Sequence, residues 1–334
     1  MSVRRPVRAA RRLAILAPAL ALSACAQPSA KEHFAALQAS LLAKGGLRTE
    51  IAPADAPYDR GDLERNFRLI AFRTEFPRSG DIIDERPLSK WRLPVTWRMI
   101  GDDRPSDHAR MRALGARISE ATGLEVREAA KDERARMLIM YLGPETRPAM
   151  RRALGQEMSD SSLEMFDLWA SQLWVVCYAT TFHGGDDDWT SGAMIGIRDE
   201  LPDLLRDSCL DEEVVQAMGL PNDDATVRPS IFNDDEEFAF MTRHDADLLR
   251  ILYDPRLKPG MTEAEAAPIV REIVSGMTDV PPADPARARP ALRKPAKPAP
   301  RAPQASLDLP VPEAERGVLV PGPAGSPPWS GRTG

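Results

Sequence analysis

The fold of this chain is decided by the stretch Glu212-Glu213-Val214-Val215-Gln216-Ala217-Met218-Gly219-Leu220-Pro221-Asn222. Apolar residues at helical spacing lead into it, so residues 201–218 are predicted to form a helix. Gly219 is predicted to end that helix, because glycine readily adopts the positive φ angles found at helix C-termini. The helix and its exit therefore carry four polar side chains close together: Glu212, Glu213, Gln216 and Asn222.

The spacing of these residues resembles the zinc-peptidase motif H-E-x-x-H-x-x-G-x-x-H. The glutamate and glycine of the motif stand at Glu213 and Gly219, but its three histidine positions are Glu212, Gln216 and Asn222. In an active zinc peptidase, histidines one helical turn apart hold the metal and the glutamate polarises the metal-bound water. Amide oxygens are poor zinc ligands. The stretch therefore indicates an ancestry more clearly than an activity.

Two later segments follow in the order found in metzincins. Ser230-Ile231-Phe232-Asn233 resembles the Met-turn S-[IV]-M-x, with Phe232 at the methionine position. Residues 242–253 resemble the final metzincin helix, and Thr242 and Asp245 are spaced as a capping pair at its start. The resemblance implies an α+β fold of the zincin-like (metzincin-like) type, with a mixed sheet packed on helices.

The body also resembles an uncharacterised bacterial domain family of exported proteins and lipoproteins. Its signposts are Ser208-Cys209-Leu210, the run from Gly219 to Asp223, Ser230-Ile231-Phe232-Asn233-Asp234 and Tyr253-Asp254-Pro255-Arg256-Leu257. Members of that family are related to the zinc peptidases by fold, with the zinc-binding histidines replaced. The resemblance implies a domain without an established activity.

Glu213 and its neighbours admit two chemical interpretations. Without a metal-bound water a lone carboxylate is a weak base, so Glu213 then serves as a structural hydrogen-bond acceptor. In the alternative, Glu212, Gln216 and Asn222 hold Ca²⁺ or Mg²⁺, which accept neutral oxygen ligands more readily than Zn²⁺ does. Nearby carboxylates for such a site are Asp223, Asp224, Asp234 and Asp235. We predict no firm metal site and no cofactor.

The four histidines give no second metal site. They are His33, His108, His183 and His244, and none has a partner at metal-ligand spacing. Solvated surface positions are expected for all four. His183 opens the polar loop 183–188, which is interpreted as solvated rather than as a cation site.

The N-terminus carries an export signal. Five arginines precede an apolar run too short to span a bilayer, and Leu22-Ser23-Ala24-Cys25 resembles a bacterial lipobox. The resemblance implies a signal peptide at 1–24 and lipidation of Cys25. Ala26 follows that cysteine, and the lack of aspartate there favours the outer membrane, with the protein facing the periplasm. The alternative is an ordinary secretory signal cut near Ala24, Ala26 or Ala30.

Two cysteines remain for the exported body, Cys177 and Cys209. An even pair in an oxidising compartment predicts one disulfide. The alternative is two buried free thiols.

The C-terminal segment 279–334 is rich in Pro and Ala and has no periodic apolar positions, so a disordered basic tail is predicted. With the signal arginines and the tail set aside, residues 25–279 carry a net charge of about −15. An acidic body of this kind argues against nucleic-acid binding. The tail is interpreted as a solvated spacer, with contact to anionic lipid or cell-wall polymer as the alternative.

The body between the two ends, residues 61–278, is long enough for one domain with a sizeable core; residues 25–60 are predicted to be a tether with one short helix at 31–42. Periodicity predicts helices at 62–72, 106–122, 145–170 (broken near Gly155) and 201–218, and the resemblance to the final metzincin helix implies one at 242–253. It predicts strands at 93–100, 136–142, 173–182 and 193–197.

These features support two functional hypotheses from different classes. In the first, the chain is a non-catalytic envelope lipoprotein, anchored to the membrane, that binds a peptide or protein in the cleft between the edge strand and the motif helix. In the second, it is a hydrolase or metallopeptidase with a non-standard ligand set in which Glu213 acts. A spacer protein whose tail is the working part is a third possibility.

Overall fold

The computed structural model describes residues 28–74, 85–184 and 189–287, which form eight α-helices, one 3-10 helix and one five-stranded sheet. The helices are α1 (Ala30–Ala43), α2 (Arg60–Ala71), α3 (Pro105–Thr122), α4 (Arg147–Leu154), α5 (Glu164–Ser171), α6 (Asp203–Ala217), α7 (Arg243–Leu252) and α8 (Glu263–Gly276), and the 3-10 turn spans Asp160–Leu163. The strands are β1 (Val95–Gly101), β2 (Val126–Glu128), β3 (Met137–Leu142), β4 (Cys177–Gly184) and β5 (Trp189–Arg198).

The sheet is mixed and has the strand order β2-β1-β3-β5-β4. β2, β1, β3 and β5 run parallel, and β4 pairs antiparallel with β5 at one edge. The predicted α+β class with a mixed sheet is confirmed. β2 was not predicted, because three residues are too few to give an alternating pattern.

Both faces of the sheet are covered by helices. One face carries Trp97, Ile139 and Ile195 into the main core, together with the apolar sides of α2, α3, α6, α7 and α8. The other face carries Met140 and Met194 into a smaller core with α4 and α5. Burial on both sides explains why β3 and residues 193–197 of β5 contain no polar side chain that alternates with apolar ones.

The packed body reaches beyond the boundaries predicted at residues 61 and 278. Phe34 of α1 is fully buried, and Gln38 Oε1 accepts a hydrogen bond of 3.0 Å from the backbone N–H of Leu205. At the other end, Val280 is buried and the carbonyl of Pro281 accepts from the N–H of Arg60 at 3.0 Å. The predicted signal peptide with Cys25, and the tail from residue 288 onward, lie outside the described residues.

The local signals at two helix starts had different outcomes. The capping pair Thr242 and Asp245 is present at α7, where the side chain and the backbone of each residue bond reciprocally. The helix predicted at 106–122 already begins at Pro105, where Asp107 accepts from the backbone N–H of Arg104 at 2.7 Å. Within the described ranges, no helix is both long and apolar enough to cross a membrane.

The predicted disulfide is confirmed between Cys177 at the start of β4 and Cys209 in the middle of α6, with a Cα–Cα distance of 5.9 Å. It joins the edge strand to the helix that carries the motif. Cys209 is 2% exposed, so the bond lies against the core.

We predict that reducing this disulfide lowers the free energy of unfolding by about 3 to 4 kcal/mol, because opening a closed loop of this size frees the unfolded chain. Urea unfolding of the wild-type chain with and without reductant measures the loss. The Cys177→Ala/Cys209→Ala variant is the control and should not respond to reductant. Equal midpoints for oxidised and reduced wild type would contradict the prediction.

Candidate functional site

The motif helix α6 lies across β4 and β5 and is buried along almost its whole length. Two of its buried charged residues, Arg206 and Asp211, are held by ion pairs. Asp211 is fully buried and accepts from Arg110 at 2.7 and 2.6 Å and from the backbone N–H of Met241 at 2.9 Å. Burial raises the pKa of Asp211, and the Arg110 guanidinium opposes that shift. The contacts of Asp211 therefore fix the rotation of α6 about its axis, independently of the motif residues.

The structure brings the C-terminal part of the motif together through its amide side chains. Gln216 Nε2 donates to Asp223 Oδ1 at 3.0 Å. Asn222 Nδ2 donates to the carbonyl of Leu69, at the end of α2, at 3.1 Å and to the carbonyl of Asp223 at 3.0 Å. Both amides are thus used as donors that hold the loop after α6 in place.

The two glutamates of the motif differ in exposure. Glu212 is half-buried, whereas Glu213 is only 5% exposed. Glu213 lies close enough to β4 to affect Tyr178, whose pKa is raised well above its usual value by burial and further by the charge of Glu213. Glu213 therefore belongs to the interior of the domain, at the side of α6 that faces the edge strand.

Gly219 follows α6 directly and has a φ of +116°. A Cβ atom at this position would lie 2.1 Å from the carbonyl oxygen of Ser89 and 3.0 Å from Leu252 Cδ2. Two independent requirements therefore favour glycine here: the positive φ angle and the close approach of another backbone.

The segment Ser89-Lys90-Trp91 contacts the C-terminal ends of α6 and α7. Trp91 Nε1 donates to the carbonyl of Ala217 at 2.8 Å, and Lys90 Nζ donates to the carbonyl of Leu252 at 2.8 Å. Burial lowers the pKa of Lys90 to about 8. No motif, periodicity or charge pattern in the sequence indicated these residues, because their partners lie more than a hundred positions away.

The turn predicted from the Met-turn resemblance is built on Asp245. Ser230 Oγ donates to Asp245 Oδ1 at 2.5 Å, and the N–H groups of Ile231 and Thr242 donate to Asp245 Oδ2 at 3.2 and 2.8 Å. Phe232 is fully buried, and its carbonyl accepts from the N–H of Asp224 at 2.9 Å. The turn and the loop after the motif helix are therefore directly connected.

The acidic residues of this loop are engaged locally. Asp224 Oδ1 accepts from the N–H and hydroxyl of Thr226 at 2.8 and 2.5 Å. The pKa of Asp234 is raised by burial and by the charges of Asp224 and Asp235. Among the described residues, no group of three or more His, Cys, Asp or Glu side chains is arranged to hold a metal ion.

The expectation of four solvated histidines is wrong for His244. Its side chain is fully buried in α7, with Nε2 3.0 Å from Asn66 Nδ2 and the ring packed edge-on to Tyr58. His108 is partly buried between Asp103 and Glu128. His33 and His183 are exposed, and residues 185–188 of the predicted polar loop lie outside the described residues.

Residues 60–272 match the model of a family described as a protein of unknown function, DUF2927. The chain belongs to the DUF2927 family. No curated protein and no solved structure matches it. The DUF2927 region runs from the first residue of α2 into α8 and so includes the sheet, the motif helix and the buried turn. The expectation of an uncharacterised domain family is confirmed, and the relation to metzincins stays a prediction.

We predict that Gly219→Ala lowers the free energy of unfolding by roughly 2 to 5 kcal/mol, because a β-carbon there combines an unfavourable φ with a backbone clash. Two control glycines separate these causes. Gly123 has a φ of +73° but open space around its Cβ position, and Gly276 has open space without a positive φ. Gly123→Ala should cost about 1 to 2 kcal/mol, and Gly276→Ala should stay within about 0.5 kcal/mol. If Gly219→Ala lowers the free energy of unfolding no more than Gly123→Ala does, the backbone at Ser89 can move to accept a β-carbon at little cost.

Proposed function

We propose that this DUF2927 protein is an envelope lipoprotein with a zincin-like body whose metal site has been lost and whose cleft binds an extended peptide or protein segment. The single observation that carries the proposal is the position of β4. It is the antiparallel edge strand of the sheet, and the disulfide ties it to the motif helix α6. Zincins bind extended peptide at such a sheet edge.

The chemistry of an edge strand favours this ligand class. The outer side of an edge strand presents a row of backbone N–H and C=O groups, and an extended peptide pairs with them by adding a strand. Side chains that alternate along the strand then give specificity. In β4, Cys177, Ala179 and Thr181 lie on the face toward α6, since Cys177 is bonded to that helix and Ala179 packs against the same core.

The side chains at the former histidine positions support binding without catalysis. The amides of Gln216 and Asn222 donate to neighbouring groups of the loop and of α2. Such side chains do not lower the pKa of a bound water as a zinc ion does. Glu213 is 5% exposed, which suits a residue that supports the helix better than one that meets a substrate.

The anchor is proposed from the N-terminal sequence. Leu22-Ser23-Ala24-Cys25 has the form of a lipobox, and several acyl chains on Cys25 would hold the protein stably, since each buried methylene contributes about 0.8 kcal/mol. Ala26 favours the outer membrane. The strongly acidic body suits a partner in the envelope and not a nucleic acid.

The proposed function can be tested with a photo-crosslinking residue at Thr181, in the full-length protein in its native envelope. The matched control carries the same residue at Arg127, in β2 at the opposite edge of the sheet. We expect adducts with a peptide or protein from Thr181 and none from Arg127. Backbone amides of β4 should then exchange hydrogen more slowly in the purified complex than in the free protein.

Equal amounts of adduct at Thr181 and Arg127, or no adduct at Thr181, would show that the proposed cleft is not the binding site. Glu213→Gln should leave the Thr181 adducts unchanged. If the captured segment is instead cleaved by the wild-type protein, and cleavage is lost in Glu213→Gln, the chain is a hydrolase.

The ancestry can be tested by restoring the histidines. The triple variant Glu212→His/Gln216→His/Asn222→His should bind Zn²⁺ in a calorimetric titration, because the backbone decides whether three ligands converge. The double variant Glu212→His/Gln216→His is the control and should bind more weakly. A folded triple variant that takes up no zinc would show that the spacing match does not reflect zincin geometry.

A further inference from the structure

The turn between α5 and β4 exposes two adjacent large apolar side chains. Trp174 is 63% exposed and Leu173 is 40% exposed. Single exposed apolar residues are ordinary on protein surfaces. These two are adjacent, and one of them is a tryptophan, the residue type whose amphipathic ring is enriched both at interfaces and at membrane surfaces.

The turn is held rigidly from below by a buried arginine. Arg198, at the end of β5, is fully buried, and its guanidinium donates to the carbonyls of Trp169, Gln172 and Val175, the last two at 2.7 and 3.2 Å. These carbonyls lie on both sides of the exposed pair. The exposed side chains are therefore fixed in place, and an interface made with them would cost little ordering entropy.

The same guanidinium locates the turn relative to the N-terminus. Arg198 lies 5.6 Å from the centre of the Phe34 ring, in the first half of α1. Ala30, the first residue of α1, packs against the core. The exposed turn and the start of the folded body thus lie at the same end of the sheet, where the parallel strands have their C-termini.

The length of chain before α1 then sets a limit on the distance to the membrane. Five Cα–Cα steps separate Cys25 from Ala30, and a fully extended chain of that length spans at most about 18 Å. With Cys25 acylated, the end of the sheet that carries the start of α1 and the exposed turn is held near the lipid headgroups. The net charge of the body, about −15 over residues 25–279, opposes attraction to anionic lipid, so a contact here has to be apolar.

We propose that the Leu173–Trp174 turn inserts into the headgroup region beside the acylated Cys25 and fixes the orientation of the body on the membrane. The inference rests on the lipid anchor of the proposed function. The occupant of this surface is the lipid bilayer itself. Acyl chains alone would leave the body free to rotate about its short connection, and a rigid apolar contact removes that freedom.

The test uses the full-length protein acylated at Cys25 in vesicles of phosphatidylethanolamine and phosphatidylglycerol, with and without brominated acyl chains. Brominated lipid should quench part of the tryptophan emission of the wild type, and this part should be lost in Trp174→Phe. Trp189→Phe, which changes a half-buried tryptophan of β5, and Leu93→Ser, which changes an exposed apolar residue before β1 at the N-terminal end of the parallel strands, are the controls. Both should keep the quenching of the wild type.

Two results would overturn the inference in distinguishable ways. If the wild-type protein floats with the vesicles but is quenched no more than Trp174→Phe, the anchor stands and the turn faces solvent or a protein. If the wild-type protein carries no lipid and Cys25→Ser fractionates as the wild type does, the anchor fails and the inference fails with it. Thermal unfolding of each variant checks that the fold is retained, and little change is expected at the exposed positions 93 and 174.

Discussion

The close packing of Gly219 against the carbonyl of Ser89 is the constraint on which the rest of the structure depends. The chain leaves α6 with a φ of +116° and passes where no side chain fits. Trp91 and Tyr253 bind the carbonyls of Ala217 and Met218 at the end of the same helix, at 2.8 and 2.9 Å. Ser89, Trp91 and Tyr253 therefore fix the end of α6, and these contacts set the direction of the loop that follows.

The direction of this loop explains the hydrogen bonds made by the amide side chains of Gln216 and Asn222. Once the loop turns back toward α2, the side chain of Asn222 reaches the carbonyl of Leu69, a group at the end of a helix that has no intrahelical partner. Gln216 reaches Asp223 across the same loop. An unmade hydrogen bond at such a buried position costs about 1 to 3 kcal/mol. Gln216 and Asn222 thus stabilise the loop after α6.

Sequence patterns predicted local structure well where the determining contacts are near in the chain. The helices α2, α3 and α6 and the four longer strands follow from periodicity, and the Thr242–Asp245 cap follows from spacing. The helix α7 was expected from the resemblance of residues 242–253 to the final metzincin helix. The short β2 has too few residues to show a pattern, and Pro268 interrupts the signal of α8. His244 stands among polar residues that predict a surface position, yet it is buried because Asn66, 178 positions earlier, lies against it. The contacts of Lys90 and Trp91 could not be predicted from the sequence either, since only the tertiary fold brings their partners close to them.

The two proposed surfaces are linked by the geometry of β4, because the strand begins three residues after Trp174 and is the strand with which the proposed peptide pairs. With the Leu173–Trp174 turn at the headgroups, the parallel strands end toward the membrane and β4 leads away from it. Its eight residues span about 27 Å. A peptide paired with β4 would then lie along the membrane-to-solvent direction, with the disulfide at the membrane end and the exposed His183 near the far end. A segment that emerges from the bilayer meets this cleft in line with the strand, whereas a soluble protein must enter from the far end. The orientation of the body would therefore select between these two kinds of partner before any side chain of the cleft does.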